Sequence, residues 1–173
     1  MGNVSSPELT ARGYEPPRNV QFSVFLDNRV GKLLDLLRVF EDQQVTLAGL
    51  SVMEATDHAV IRVLSSRAEL TRRLLQRHCL PFSEADVLAV ELGQGKTLPE
   101  MCYTLLAAEL SIRYAYPLIV QPRRLPVIAL YCDDLVFAAH LLRRKMFTLL
   151  AENDLGGNAT GGTAGNPTRP TDE

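Results

Sequence analysis

The chain has 173 residues, a formal net charge of -2, 46% hydrophobic residues and no tryptophan. That is enough apolar material for one ordinary domain or two small ones. A charge so near neutral argues against a surface built to neutralise phosphates, so no nucleic-acid partner is expected.

Residues 1–18 read as a flexible polar arm with no apolar core of a leader, broken at Pro16-Pro17. Val20–Leu26 alternates apolar residues as a strand does, and Asp27-Asn28-Arg29 follows as turn chemistry. From Gly31 the apolar positions Leu33, Leu34, Leu36, Leu37 and Phe40 take helical spacing, ending at Gln43-Gln44. Val45–Met53 predicts a second strand, Glu54–Asp57 a hairpin turn and His58–Leu64 a third strand. Ser65-Ser66 offers a cap for a helix over Ala68–Cys79, with Leu70, Leu74 and Leu75 on its inner face. Pro81 breaks it, and Phe82–Ala85 predicts a short fourth strand.

The same order then recurs. Val87–Leu92 predicts a strand, Gly93–Lys96 a turn, and Leu98–Leu110 a helix with Pro99 in its first turn. Ser111–Val120 and Val127–Cys132 predict two more strands, with Pro117 marking the former as an edge or a bulge. Asp133-Asp134 caps a helix to about Lys145, and Met146–Leu150 closes the set. Leu33 matches Leu98, Val60-Ile61 matches Val127-Ile128, and Leu74-Leu75 matches Leu141-Leu142. An offset of about 65 to 67 positions indicates an internal duplication. The expected fold is α+β: two ferredoxin-like βαββαβ modules in tandem, residues 19–85 and 86–151, each an antiparallel sheet with helices on one face. Residues 152–173 are rich in Gly, Thr, Pro and Asn and are expected to be a disordered tail.

These residues carry a family likeness. The stretch from Phe22 to Val63, with Asn28-Arg29-Val30-Gly31-Lys32-Leu33 between its first strand and first helix, resembles an ACT domain, a small-molecule-binding module of amino-acid metabolism. The likeness extends over Val20–Leu150 as two copies. The family commonly has proline where Val30 stands and asparagine where Thr46 falls, and the second copy's turn, Leu92–Leu98, contains no asparagine. The resemblance implies a non-catalytic regulator that binds an amino acid at the interface of the modules and passes the signal to a partner enzyme or to its own self-assembly, as a homodimer in the cytoplasm. The N-terminal half is also similar to the small subunit of acetolactate synthase, which implies regulation of an enzyme of that type. A ligand-free structural module is the other reading.

The binding residues so implied are Asn28, Arg29, Val30, Gly31, Lys32, Leu33 and Thr46, with Gly95 as the counterpart in the second copy. Gly31 lets the backbone approach a ligand, free N–H groups at the helix start suit a carboxylate, and Asn28 offers both donor and acceptor. The first turn is expected to bind, and the second mainly to complete the interface.

No cofactor, metal site or catalytic residue is expected. Cys79, Cys102 and Cys132 are widely spaced in apolar surroundings and read as buried thiols, and the three histidines are scattered. Gly93-Gln94-Gly95-Lys96-Thr97 follows a strand as a phosphate-binding loop would, but Val90 stands where the pattern needs glycine. No apolar run reaches the roughly 18 residues of a membrane span, so no membrane association is expected.

Overall fold

The computed structural model describes residues 16–54, 58–93 and 95–156. In chain order the elements are β1 (Asn19–Asp27), α1 (Lys32–Arg38), β2 (Leu47–Glu54), β3 (His58–Ser65), α2 (Ala68–Arg77) and β4 (Phe82–Glu91). There follow α3 (Leu98–Leu106), β5 (Ile112–Pro117), β6 (Val127–Cys132), α4 (Leu135–Arg144), β7 (Thr148–Leu150) and a 3-10 helix, Glu152–Gly156. Seven strands form one antiparallel sheet in the order β2-β3-β1-β4-β6-β5, with β7 also paired to β4.

Both βαββαβ modules are present, and β4 belongs to each. Its first part, Phe82–Val87, pairs with β1 as the fourth strand of the first module. Its last part, Leu88–Glu91, pairs with β6 and β7 as the first strand of the second. Two separate strands were expected here. The apolar run Val87–Val90 instead carries the first strand straight on, because both of its faces are covered: Leu88 and Val90 join the core under α3 and α4, while Val87 and Ala89 face the other way. The boundary expected between residues 85 and 86 therefore falls inside a strand that serves both halves.

The duplication is legible in the backbone. Asp42 and Glu109, 67 positions apart, both end a helix region at φ 59°, and Cys79 and Met146, also 67 apart, do so at φ 51° and 64°. Each of the latter pair precedes the same closing bond, Leu80 N–H to Leu75 O at 3.0 Å and Phe147 N–H to Leu142 O at 2.9 Å, the usual termination of a helix by a left-handed residue.

One core packs Phe22, Val24, Leu26, Ile61 and Val63 against Leu36, Leu74 and Leu75 of the first two helices. A second packs β4 and β6 against Met101, Leu105 and Leu142. The third lies on the opposite face of the sheet, where Ala48, Leu64, Val87, Tyr116, Leu118, Leu150 and Leu155 meet. It exists because the sheet curls until its ends touch: Ala48 O accepts from Ile119 N–H at 2.8 Å, just beyond β5. Gly49 permits this approach, since a Cβ there would stand 2.5 Å from Leu118 Cδ2 and 3.2 Å from Tyr116 Cε2. As Pro117 suggests, β5 ends the sheet order.

Three further expectations are corrected. The sequence after Ala151 does not leave the fold at once: Glu152–Gly156 is a 3-10 helix and Leu155 is 0% exposed, because the third core needs an apolar lid. The rest of the expected tail, like residues 1–15 of the arm expected at 1–18, lies outside the described residues, while Pro16 at the arm's end is buried. Ser65-Ser66 does not cap α2; Glu152 Oε1 accepts from Ala68 N–H at 2.6 Å instead, while Ser66 Oγ takes Thr46 N–H at 3.0 Å and Ser65 Oγ meets Thr71 Oγ1 at 2.7 Å. Of the thiols only Cys132 is buried. Cys79 is exposed at the left-handed end of α2, and Cys102 on the outer side of α3. The cap on α4 is as expected, with Asp134 Oδ1 accepting from Phe137 N–H at 2.9 Å.

Candidate functional site

The turn after β1 holds Gly31 at φ 90°, a left-handed conformation that glycine adopts without strain, and nothing would contact a Cβ there within 4 Å. Asn28 donates through Nδ2 to Glu54 Oε1 at 2.8 Å, tying the turn to the end of β2. Arg29 and Val30 project into solvent. Lys32 Nζ lies 3.5 Å from Asp35 on the next turn of α1, and Leu33 packs against the first core.

Beside this turn lies a groove of about 340 Å³. Phe25, Leu26 and Asp27 of β1 form one wall, Lys32, Asp35, Leu36 and Val39 a second, and His78, Leu80 and Pro81 a third. Pro81 is drawn in by its carbonyl, which accepts from Phe25 N–H at 2.9 Å. The groove thus has an apolar floor and charges of both signs at its margin. Of the residues expected to bind, Lys32 lines it and Asn28, Gly31 and Leu33 frame its turn. Thr46 is not nearby: it precedes β2 at the other end of the strand, roughly 25 Å away at about 3.3 Å per strand residue. Gly95 is also remote, because β4 runs antiparallel to β1 and carries the second turn past the strand's far end, where Asn19 pairs with Val87.

The second turn has a cavity of its own, about 440 Å³, lined by Glu91, Leu92, Gly93, Lys96, Arg123, Leu125, Met146 and Thr148. It occupies the position in the second module that the groove holds in the first, with Gly95 at φ 81° matching Gly31 in backbone conformation. Lys96 Nζ contacts Glu100 Oε1 at 3.0 Å and stands 5.5 Å from the Phe147 ring centroid. Glu91 and Arg123 were not singled out in the sequence, where nothing distinguishes a glutamate at a strand end from a solvated one.

The interface of the modules is largely filled. On the face away from the helices, Gln21 donates to Tyr114 Oη at 2.8 Å and accepts from Tyr116 Oη at 2.9 Å. The Arg62 guanidinium lies 4.0 Å from the Tyr114 ring centroid, and Tyr131 stacks on Tyr114 at 5.0 Å. Burial raises the Tyr114 and Tyr116 hydroxyls above the ordinary phenol range, so both remain neutral. Tyr114 and Tyr116 join the halves, and Tyr131 borders a third cavity of about 320 Å³ between Arg18, Asp86 and Tyr131–Val136. None of the expected binding residues lines that cavity. Among the described residues no cluster of three or more His, Cys, Asp or Glu is placed to hold a metal ion, and no helix is long and apolar enough to cross a membrane.

Two ferredoxin-like modules fused through one sheet, with a groove at each strand-to-helix turn, define the architecture of a paired small-domain protein. The chain belongs to the family of ACT domain pairs, whose family model matches residues 19–156. No curated protein matches it. Among solved structures it is similar to protein BT0572 from Bacteroides thetaiotaomicron, with 21% identity over 82% of this chain and 97% of that one and a TM-score of 0.72. It is also similar to the ligand-free regulatory subunit of aspartate kinase from Thermus thermophilus, with 6% identity over 75% and 93% of the two chains and a TM-score of 0.52. At such identities the likeness is one of fold.

Proposed function

We propose that this ACT pair is a non-catalytic sensor of a small metabolite, an amino acid, which binds at the turn Asn28–Leu33 and alters how the protein associates with a partner enzyme or with a second copy of itself. The observation that supports this reading is the groove beside that turn. An apolar floor of Phe25, Leu36, Val39 and Leu80, with Lys32 and the carboxylates of Asp27 and Asp35 at the margin, suits a zwitterion with an apolar side chain. Binding there would alter association only by differing in free energy between free and assembled states. The outer edge of β2 beyond Gly49, with Val52 and Met53 exposed, is a surface on which such assembly can act.

The test is a titration of 15N-labelled protein with each of the twenty amino acids, followed by amide chemical shifts. We expect one chemical class to move resonances of residues 25–36 and 78–81, and Lys32→Ala to weaken that response. Shifts confined to other regions would remove the groove from the account. Co-purification of a large catalytic subunit of the acetolactate synthase type would favour the narrower reading of a dedicated subunit.

A further inference from the structure

We infer that the outer face of the second module's helix layer, formed by α3 and the start of α4, is the surface through which two copies of this chain pair about a two-fold axis. The duplication supplies an internal comparison. Leu36, Val39 and Phe40 meet the core in and just after α1, and Met101, Thr104 and Leu105, each 65 positions on, do so in α3. On the solvent side of the same turns the two copies differ. Arg38 and Glu41 stand where the second copy has Tyr103 and Leu106, and that apolar pair is 73% and 70% exposed. In α2 and α4, which are 67 positions apart, the exposed Glu69 corresponds to the exposed Val136. Pro99, Cys102, Tyr103 and Leu106 take the spacing i, i+3, i+4, i+7, so they line one outer stripe of α3, opposite its buried stripe. A helix that is apolar on both sides calls for cover on both.

The charges around the stripe specify what covers it. α3 and α4 run antiparallel, because each returns along one of the antiparallel strands β4 and β6. The end of α3 lies beside the start of α4, where Ser111 N–H donates to Asp133 Oδ1 at 3.1 Å. The half-exposed Val136 and Phe137 therefore carry the apolar stripe from one helix onto the other. This layer has an acidic end, with Glu109, Asp133 and Asp134, and a basic end, with Arg143, Arg144 and Lys145. Between them Cys102, Tyr103, Leu106, Val136 and Phe137 bear no charge. A two-fold axis lying in the interface and perpendicular to the helices sets the stripe on its own copy and lays each acidic end on a basic one. An axis along the helices would instead oppose like charges at both ends, so the pattern selects the orientation as well as the partner. The face is separate from the grooves at the two turns, and pairing through it requires no ligand.

The experiment is sedimentation equilibrium of the full chain over roughly 1 to 100 μM, with no amino acid added. We expect a reversible equilibrium of monomer and dimer. Tyr103→Arg and Leu106→Glu give α3 the residues that the first copy carries at the same positions. Each should raise the dimer dissociation constant at least about tenfold, because it buries a charge in the apolar stripe. Arg144→Glu should weaken pairing less, and adding Glu109→Lys to it should restore part of the loss, since acid and base then exchange ends in both copies. The unaltered chain gives a second reading through its thiols. Cys102 should react with a thiol reagent more slowly as concentration rises, while Cys79, exposed in the first module, keeps its rate. A chain that stays monomeric throughout the range would overturn the inference. So would a dimer indifferent to Tyr103→Arg and Leu106→Glu, or one that shields Cys79 instead of Cys102, because the copies would then meet elsewhere.

Discussion

Glu152 and Leu155 show how single side chains fasten this fold. The carboxylate of Glu152 accepts the first free N–H of α2 from a point 84 residues along the chain, and Leu155 closes the third core from the same short helix. Leu155→Ala should destabilise the protein by about 2 to 5 kcal/mol, as a fully buried leucine does. Glu152→Ala should cost about 0.5 to 2 kcal/mol, the usual worth of a helix cap. Urea unfolding of the two variants checks both values, and wild-type stability in Leu155→Ala would mean that the 3-10 helix does not seal the core. A second residue-scale effect is electrical. Arg72 donates from Nε to Glu84 Oε1 and from Nη2 to Oε2, each at 2.7 Å, and these bonds hold the Glu84 carboxyl below its ordinary range. A folded pKa below the unfolded one gives stability that is present above the carboxylate range and lost as pH falls through the folded pKa. The pair is about a third exposed, so Glu84→Gln should cost about 1 kcal/mol or less at neutral pH. That difference should fade below pH ~4 in parallel denaturation series. Glu91 was beyond reach of the sequence because its burial comes from β6 and β7, strands that arrive 36 and 57 residues later.

At the scale of elements, periodicity was enough wherever one face of a strand or helix is wet. The helices α2 and α4 are where their patterns put them, as is the edge position of β5. Reading failed where burial is two-sided or comes from far away. Phe82–Glu91 was split because a run buried on both faces has no alternation to show where one role ends and the next begins. The Asn28–Leu33 turn was visible from Gly31, but Thr46 and Gly95 were grouped with it by motif, and strand direction places both at other ends of the sheet. The closure of the sheet, by contrast, rests on one small residue. Gly49→Val would drive side-chain atoms into Leu118 and Tyr116 and should cost about 1 to 3 kcal/mol. Thermal melts of that variant measure it. An unchanged melting temperature would show that the two ends of the sheet need not touch.

The whole molecule is one unit made from two copies. β4 is shared, the third core draws on both halves, and Gln21 and Arg62 of one module bind Tyr114 and Tyr116 of the other. The duplication therefore yields two turns with two grooves on a common sheet, a form in which a ligand at either turn is linked to the stability of the entire chain. This linkage makes thermal melting of the intact protein, in the presence of each of the twenty amino acids in turn, the most direct test of the central claim. We predict a single cooperative transition whose midpoint rises saturably with one chemical class of amino acid, by the equivalent of about 2.7 kcal/mol at roughly 100 times the dissociation constant. A midpoint that no amino acid moves would contradict the sensor and leave a structural pair of modules in its place.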